Sequence, residues 1–199
     1  TEFLYDYLDI LCPWNPEITI QNISMEMERL KSASKPLKMS LYTDKGTVDI
    51  LYKTEDVRKD RMTMATAYWI EKTTEGKVEF TRYAVMPVKA NAGIIEMVKG
   101  ATTLYDIKHK YGTTLQNFIL DRNSDLTVIA LRERFIKSVA AACVLSYVLG
   151  VGDRHLENML VTDDGKLIHV DFFYLLGDDP KHVKTEMRIT PDMLDALGG

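Results

Sequence analysis

Gly150-Val151-Gly152-Asp153-Arg154-His155-Leu156-Glu157-Asn158 packs an acid, a cation, a base and an amide into six residues. A loop keeps such groups at the surface, where they can meet a substrate. Downstream, Met159–Thr162 and Lys166–Val170 are apolar runs around Asp163-Asp164-Gly165, and Asp-Gly is a strong two-residue hairpin turn. With Asp164 and Gly165 as the loop, the register sets Asn158 directly opposite Asp171. Opposite residues have Cβ atoms about 4.5 to 5.5 Å apart, so an amide oxygen and a carboxylate could share one hard cation. The expectation is a Mg2+ or Mn2+ site at Asn158 and Asp171.

Mg2+ commonly takes one or two protein oxygens and completes its shell with water and substrate phosphates. Two ligands therefore suffice where a nucleotide such as ATP is bound, and phosphoryl transfer becomes the leading reaction. It needs a base or orienting group beside the metal, for which Asp153 and His155 are available. It also needs a cation on the phosphates, for which Lys53 is the candidate, and Ser32-Ala33-Ser34-Lys35 could cover them with N–H groups and hydroxyls. Singly, these residues read as a solvated lysine, a structural histidine and a turn-capping asparagine; their conjunction carries the reading. His169, inside an apolar run, is expected to be a core or hydrogen-bonding histidine near Asp171.

These groups need elements to hold them. Leu131, Phe135, Val139, Cys143 and Tyr147 recur every fourth residue, which predicts one long helix leading into Gly150. Thr103–Lys110, ending in basic residues before Gly112, and Leu115–Leu120 predict two short helices ahead of it. Leu37–Tyr42 and Val48–Tyr52 predict a hairpin that delivers Lys53. Thr54 is expected to cap a helix with Glu55 and Asp56 in its first turn and Val57, Met64, Ala65 and Tyr68 on one face. Val78–Val85 and Gly93–Val98 read as strands joined through Pro87–Ala92. Residues 1–30, broken by Pro13 and Pro16, read as irregular with one helix near Phe3–Leu11. The expected organisation is that segment, a strand-rich lobe over 31–99 and a helical lobe over 100–199.

A chain of 199 residues, 46% apolar and 27% charged, can bury a core in one domain or two small lobes, which excludes a disordered tail, collagen or a coiled-coil rod. A net charge of −4 offers no global basic field to a nucleic acid, so an anionic ligand must be held locally. Two cysteines, Cys12 and Cys143, make no disulfide scaffold and point to a reducing, cytoplasmic setting. The most apolar stretch, Val139–Val151, is shorter than the ~20 residues that span a bilayer and reads as a buried helix. From Thr1 onward there is no basic region followed by a cleavable apolar segment, so no signal peptide is expected.

Asp153-Arg154-His155-x-x-Asn158, followed by a hairpin and His169-Val170-Asp171-Phe172, resembles the catalytic loop and metal motif of the phosphatidylinositol 3- and 4-kinases. Lys31-Ser32-Ala33-Ser34-Lys35-Pro36-Leu37 is similar to that family's phosphate loop, Lys53 through Asp60 to its nucleotide lysine and following helix, and Gly93–Val98 to its hinge. The wording is nearest to the class III, vacuolar-sorting type: Tyr147–Leu156, then Tyr174-Leu175-Leu176-Gly177-Asp178-Asp179-Pro180-Lys181, then Leu197-Gly198-Gly199.

The resemblance implies a two-lobed, protein-kinase-like α+β fold with an antiparallel-sheet N-lobe and a mainly helical C-lobe whose family counterpart continues through further helices. It implies ATP with Mg2+ or Mn2+, Asp153 and His155 as catalytic residues and Arg154 as the brace of their loop. Asn158 and Asp171 would hold the metal, Asp60 would steady Lys53, Ser32 and Ser34 would cover the phosphates, and the backbone at Glu96 and Val98 would hold adenine. After Asp171 stand only Lys181, His182, Lys184 and Arg188, offset by Asp178, Asp179 and Glu186, which suits unphosphorylated phosphatidylinositol, taken at the 3-hydroxyl. Such an enzyme meets a bilayer peripherally, and recruitment by a regulatory or scaffold partner is implied.

The family's Asp-Phe-Gly is here Asp171-Phe172-Phe173, so Phe173 is expected to adopt a strained backbone. On that account the alternative is a kinase-shaped scaffold with impaired turnover; a related 4-kinase or protein kinase is a further alternative. Glu55 beside the lysine, where glycine is common in the family, is a second departure.

Overall fold

A computed structural model of the chain describes residues 9–31, 34–180 and 187–199. These residues fall into two compact units, bounded as Thr1–Arg61 with Tyr83–Lys99, and as Met62–Arg82 with Gly100–Gly199. The architecture is the mixed α/β one expected, antiparallel in every strand pairing.

The first unit is a seven-stranded sheet. Its strands are β1 (Ile10–Cys12), β2 (Asn15–Ile23), β3 (Glu28–Arg29), β4 (Leu37–Thr43), β5 (Gly46–Lys53), β6 (Val85–Lys89) and β7 (Ala92–Glu96). They run in the order β1-β2-β4-β5-β7-β6, with β3 paired to β4. The β4–β5 hairpin is as predicted, pairing Leu37 with Tyr52 and Thr43 with Gly46. Cys12, Ile20, Leu41 and Ile50 form this sheet's core.

Residues 9–30 correct the reading of 1–30 as irregular or helical. Pro13 occupies the turn between β1 and β2, and Pro16 falls in the bulge where the register jumps from Leu11↔Thr19 to Cys12↔Asn15. A turn and a bulge are places where a strand pair tolerates proline, so the two prolines punctuate a hairpin. Residues 3–8 of the expected helix lie outside the described residues, and Ile10 and Leu11 are strand. Val78–Ala84 is not strand, and β6 runs through Pro87 to a two-residue turn at Ala90-Asn91. Glu71 holds the 78–84 segment by accepting from Phe80 N at 2.7 Å and from Arg82 Nε at 2.8 Å.

Helix α1 (Arg58–Thr73) begins later than the Thr54 cap predicted, because Asp56 Oδ1 accepts from Arg58 N at 3.0 Å. Its buried positions are Asp60, Thr63 and Ala67, while Ala65 and Tyr68 are exposed. The apolar pattern missed this because two of the three buried side chains are polar.

The second unit carries most of α1 together with β8 (Ala101–Thr103), α2 (Leu104–His109), α3 (Leu115–Asp121), α4 (Val128–Leu149), β9 (Met159–Thr162), β10 (Leu167–His169) and α5 (Pro191–Leu197). Thr103, Thr114, Thr127 and Thr190 cap α2 to α5, each side chain accepting from a backbone N–H of the first turn. Phe118, Phe135, Met159, Val161, Leu167 and Met193 pack in the core between these helices and the β10-β9-β8 sheet. Four residues advance a helix by 400°, so a strict four-residue repeat drifts by about 160° between Leu131 and Tyr147. Leu131, Phe135 and Val139 are buried accordingly, whereas Tyr147 is exposed and Leu145 and Leu149 take over.

Candidate active site

The loop after α4 is set by a close approach of two main chains. Gly150 closes the helix at φ 53°, and a Cβ there would lie 2.7 Å from Gly177 N. Leu176 N donates to Leu149 O at 2.7 Å, Gly177 N to Gly150 O at 3.0 Å and Gly152 N to Tyr174 O at 2.9 Å. Residues 149–152 are thereby laced to 174–177.

Within the loop Asp153 has φ 53°, and its N–H donates to Asp179 Oδ2 at 3.2 Å. His155 Nδ1 accepts from Glu157 N at 3.2 Å, which leaves its ring proton on Nε2, and Nε2 lies 3.9 Å from Asp153 Oδ2. Asn158 donates its amide Nδ2 to Asp153 O at 3.0 Å, so its side-chain oxygen is the acceptor end.

Arg154 is buried, and its guanidinium donates to main-chain carbonyls: Nε to Gly152 at 2.9 Å, one terminal nitrogen to Val170 at 2.8 Å and Asn158 at 3.5 Å, the other to Asp171. The ring of buried Phe172 lies 5.2 Å from the guanidinium carbon. Arg188 NH1 in turn donates to Arg154 O at 2.6 Å.

The hairpin register is one residue from that predicted. Pairs run Val161↔Leu167, Leu160↔Ile168 and Met159↔His169, and Val170 N donates to Asn158 O at 3.1 Å, so Asn158 faces Val170 and not Asp171. The loop has three residues, closed by Gly165 N to Thr162 O at 2.9 Å with Gly165 at φ 82°, and Thr162 Oγ1 bonds Asp164 Oδ1 and accepts from Lys166 N. A three-residue loop with glycine in the left-handed region competes with the two-residue Asp-Gly turn, and Thr162 favours it here. Asp171 follows the hairpin at φ 60°, and it is Arg154 that ties its carbonyl to that of Asn158.

Phe173 also departs from expectation. Positive φ falls on Asp153, Asp171 and Leu176 but not on Phe173, whose ring is exposed and packs edge-on against Tyr174 at 5.0 Å. The backbone strain expected at Phe173 is absent.

His169 ends β10 as expected, with Nδ1 3.4 Å from Ser146 Oγ, while Nε2 is shut off from solvent and has no protein partner among the described residues. Burial, followed by the Arg154 charge, pushes its pKa down to about 3, so it is neutral at pH 7. His169 and Phe172 line a cavity of about 120 Å3 with Met64, Ala67, Phe80 and Leu145; none of Asp153, His155, Asn158 and Asp171 lines it.

The nucleotide-side candidates belong to the first unit. Lys53 ends β5, is 8% exposed, and pairs with Glu55 Oε1 at 2.7 Å, so the departure noted at Glu55 supplies a carboxylate to the lysine. Asp60 is buried in the first turn of α1. Glu96 ends β7 with its N–H donating to Ala84 O at 2.9 Å and its carboxylate accepting from Ala84 N at 2.9 Å. Met97 N donates to Asp49 O at 2.8 Å, and Val98 lies just beyond the strand. Ser34 lies between β3 and β4 in a loop closed by Leu30 N to Pro36 O at 3.0 Å. Ser32, Lys181, His182, Lys184 and Glu186 lie outside the described residues.

Asn158 and Asp171 offer oxygen donors only, the set that suits a hard cation. Among the described residues no group of three or more His, Cys, Asp or Glu side chains could hold a metal by itself, so such a cation would take further ligands from a nucleotide. Asp179 and Arg188 were missed by sequence reasoning as parts of this loop, since only folding brings them to Asp153 and Arg154.

Residues 108–199 match the family described as phosphatidylinositol 3- and 4-kinase. With a kinase-like fold and this loop, the chain is similar to the phosphatidylinositol 3- and 4-kinase family. Within it, relatives named phosphatidylinositol 3-kinase VPS34 match along nearly the whole chain. That of Arabidopsis thaliana is 32% identical over 211 residues, covering 100% of this chain and 26% of its own length. That of Saccharomyces cerevisiae is 33% identical over 200 residues, covering 96% and 23%. The phosphatidylinositol 3-kinase root isoform of Glycine max is 32% identical, covering 100% and 26%. The chain spans about a quarter of the length of these relatives.

Proposed function

We propose that the protein transfers the γ-phosphoryl group of ATP to the inositol ring of phosphatidylinositol, at the 3-hydroxyl. The observation that carries this reading is the loop itself: Asp153 and His155 stand side by side, and Arg154 ties their loop to the carbonyls of Asn158 and Asp171. The names of the relatives support the choice of lipid and of hydroxyl.

Asn158 and Asp171 would hold Mg2+ or Mn2+, which when bound neutralises charge on the phosphates. Lys53, paired with the Glu55 carboxylate, neutralises phosphate charge, and Asp60 steadies it; Ser32 and Ser34 cover the phosphates, and the backbone at Glu96 and Val98 binds adenine. Because His155 carries its proton on Nε2, Asp153 is the group that takes the proton of the attacking inositol hydroxyl. His155 Nε2–H then faces the oxygens on which charge gathers as the bond to the ADP oxygen breaks. Arg154 positions this loop through main-chain carbonyls.

Among the described residues no helix is long and apolar enough to cross a membrane. On this reading the protein acts on a bilayer peripherally, from the cytoplasm, with the help of a regulatory or scaffold partner. The test is thermal denaturation of the full-length protein with ATP alone, Mg2+ or Mn2+ alone, and both, followed by turnover on phosphatidylinositol vesicles. Stabilisation that needs both ligands and is lost in Asp171→Ala, with a 3-phosphorylated product, is expected. No stabilisation under any condition overturns the nucleotide site and leaves a scaffold; a 4-phosphorylated product overturns the regiochemistry.

A further inference from the structure

Asp153 stands in the left-handed region, a conformation that is costly for a side-chain-bearing residue and persists where neighbours impose it. The preceding Gly152 N is held by Tyr174 O at 2.9 Å, and the Asp153 N–H is held by a side chain, Asp179 Oδ2, at 3.2 Å. The fit there is close: a Cβ on Gly152 would lie 2.3 Å from Asp178 O and 3.1 Å from Asp179 Cα. The chain at 178–179 therefore lies flush against the loop, and at Asp179 a side chain reaches across to it.

We infer that Asp179 is a positioning residue for Asp153: its carboxylate oxygen, by accepting the Asp153 N–H, fixes the backbone that aims the Asp153 carboxylate beside His155 Nε2. The inference rests on the phosphotransfer reading for its consequence in turnover, but not for the bond itself. What Asp179 supplies to Asp153 is a hydrogen-bond acceptor at a set reach. Asparagine presents a carbonyl oxygen at the same reach, alanine presents none, and glutamate keeps the charge but moves the acceptor by one methylene.

The experiment compares Asp179→Asn, Asp179→Ala and Asp179→Glu in the full-length protein, reading kcat and KM for ATP on phosphatidylinositol vesicles. Misplacing a reacting group by about 1 Å can cost about 100-fold. Asp179→Ala and Asp179→Glu are expected to lower kcat by about 10- to 100-fold with KM for ATP within about twofold, while Asp179→Asn stays near the parent. If Asp179→Ala does not fold, the Glu and Asn variants decide alone. Parent-like kcat in the Glu variant, or an Asn variant as slow as it, overturns the inference.

Amide hydrogen exchange at Asp153 provides the reading independent of catalysis. Exchange is expected to be faster in the Ala and Glu variants than in the parent and the Asn variant; equal rates in all four overturn the inference even if the parent transfers no phosphate. A parent without turnover whose exchange follows the expected order instead overturns the kinase reading and leaves the Asp179 contact standing.

Discussion

His169 is held neutral two residues from Asp171, and that has a measurable consequence. Its pKa in the folded chain is about 3, against an ordinary value of 6.5 that the unfolded chain recovers, first because it is buried and second because Arg154 is near. Between these values the unfolded chain binds the proton and the folded chain does not, so stability contributed through His169 is complete above pH 6.5 and is lost as the pH falls toward 3. In urea unfolding with EDTA present, the parent's midpoint is expected to fall between pH 7 and pH 4 more steeply than that of His169→Gln; parallel slopes would contradict it. At this scale the sequence was informative about residue types. Asp153, His155 and Asn158 are legible because six residues of loop hold them together, and the geometry sets them in one turn. Asp179 was legible only as a charge offsetting nearby lysines, because its contact spans 26 positions of chain and no periodicity reports such a contact.

The β9–β10 hairpin shows how an element can be right in kind and wrong in register. Both strands were visible as apolar runs, but the choice between a two-residue and a three-residue loop was decided by Thr162, which bonds Asp164 and Lys166 inside the turn. A slip of one residue moved Asn158 from Asp171 to Val170. Two glycines that fix these elements differ in what surrounds them. Gly165, at φ 82°, has the Ile119 Cγ2 methyl 2.9 Å from the place of a Cβ, a side-chain atom that can shift. Gly150, at φ 53°, faces the backbone nitrogen of Gly177, which cannot move without releasing the loop. Gly165→Ala is expected to cost about 1 to 2 kcal/mol and Gly150→Ala clearly more. Urea unfolding of the two variants checks the order, and an equal or reversed cost would show that the approach of 177 to 150 is loose.

Across the whole molecule the chain passes between the two compact units at Arg61/Met62, Arg82/Tyr83 and Lys99/Gly100. The sequence suggested one boundary near Gly100, since strand-like text gives way to helix-like text there, but α1 reads like any amphipathic helix and carries no mark of the unit that owns most of it. A piece of residues 100–199 would lack Met62–Arg82, including the Met64, Ala67 and Phe80 side chains that line the same cavity as Ala142 and Leu145. That piece alone is expected to unfold without a cooperative transition while the whole chain melts cooperatively; calorimetry distinguishes them, and a sharp transition in the piece would make Met62–Arg82 dispensable.

The hydrogen bonds that Arg154 gives to Gly152, Asn158, Val170 and Asp171 go to main-chain carbonyls, and every peptide unit supplies a carbonyl whatever side chain it bears. The shape of the segment from 170 to 173 is thus insulated from much of its own spelling. Phe173 fits where the family it resembles has glycine, because the backbone at 173 does not take the left-handed conformation that favours glycine. What this stretch cannot spare is the guanidinium that holds its backbone and the one carboxylate, that of Asp171, which it would present to a cation.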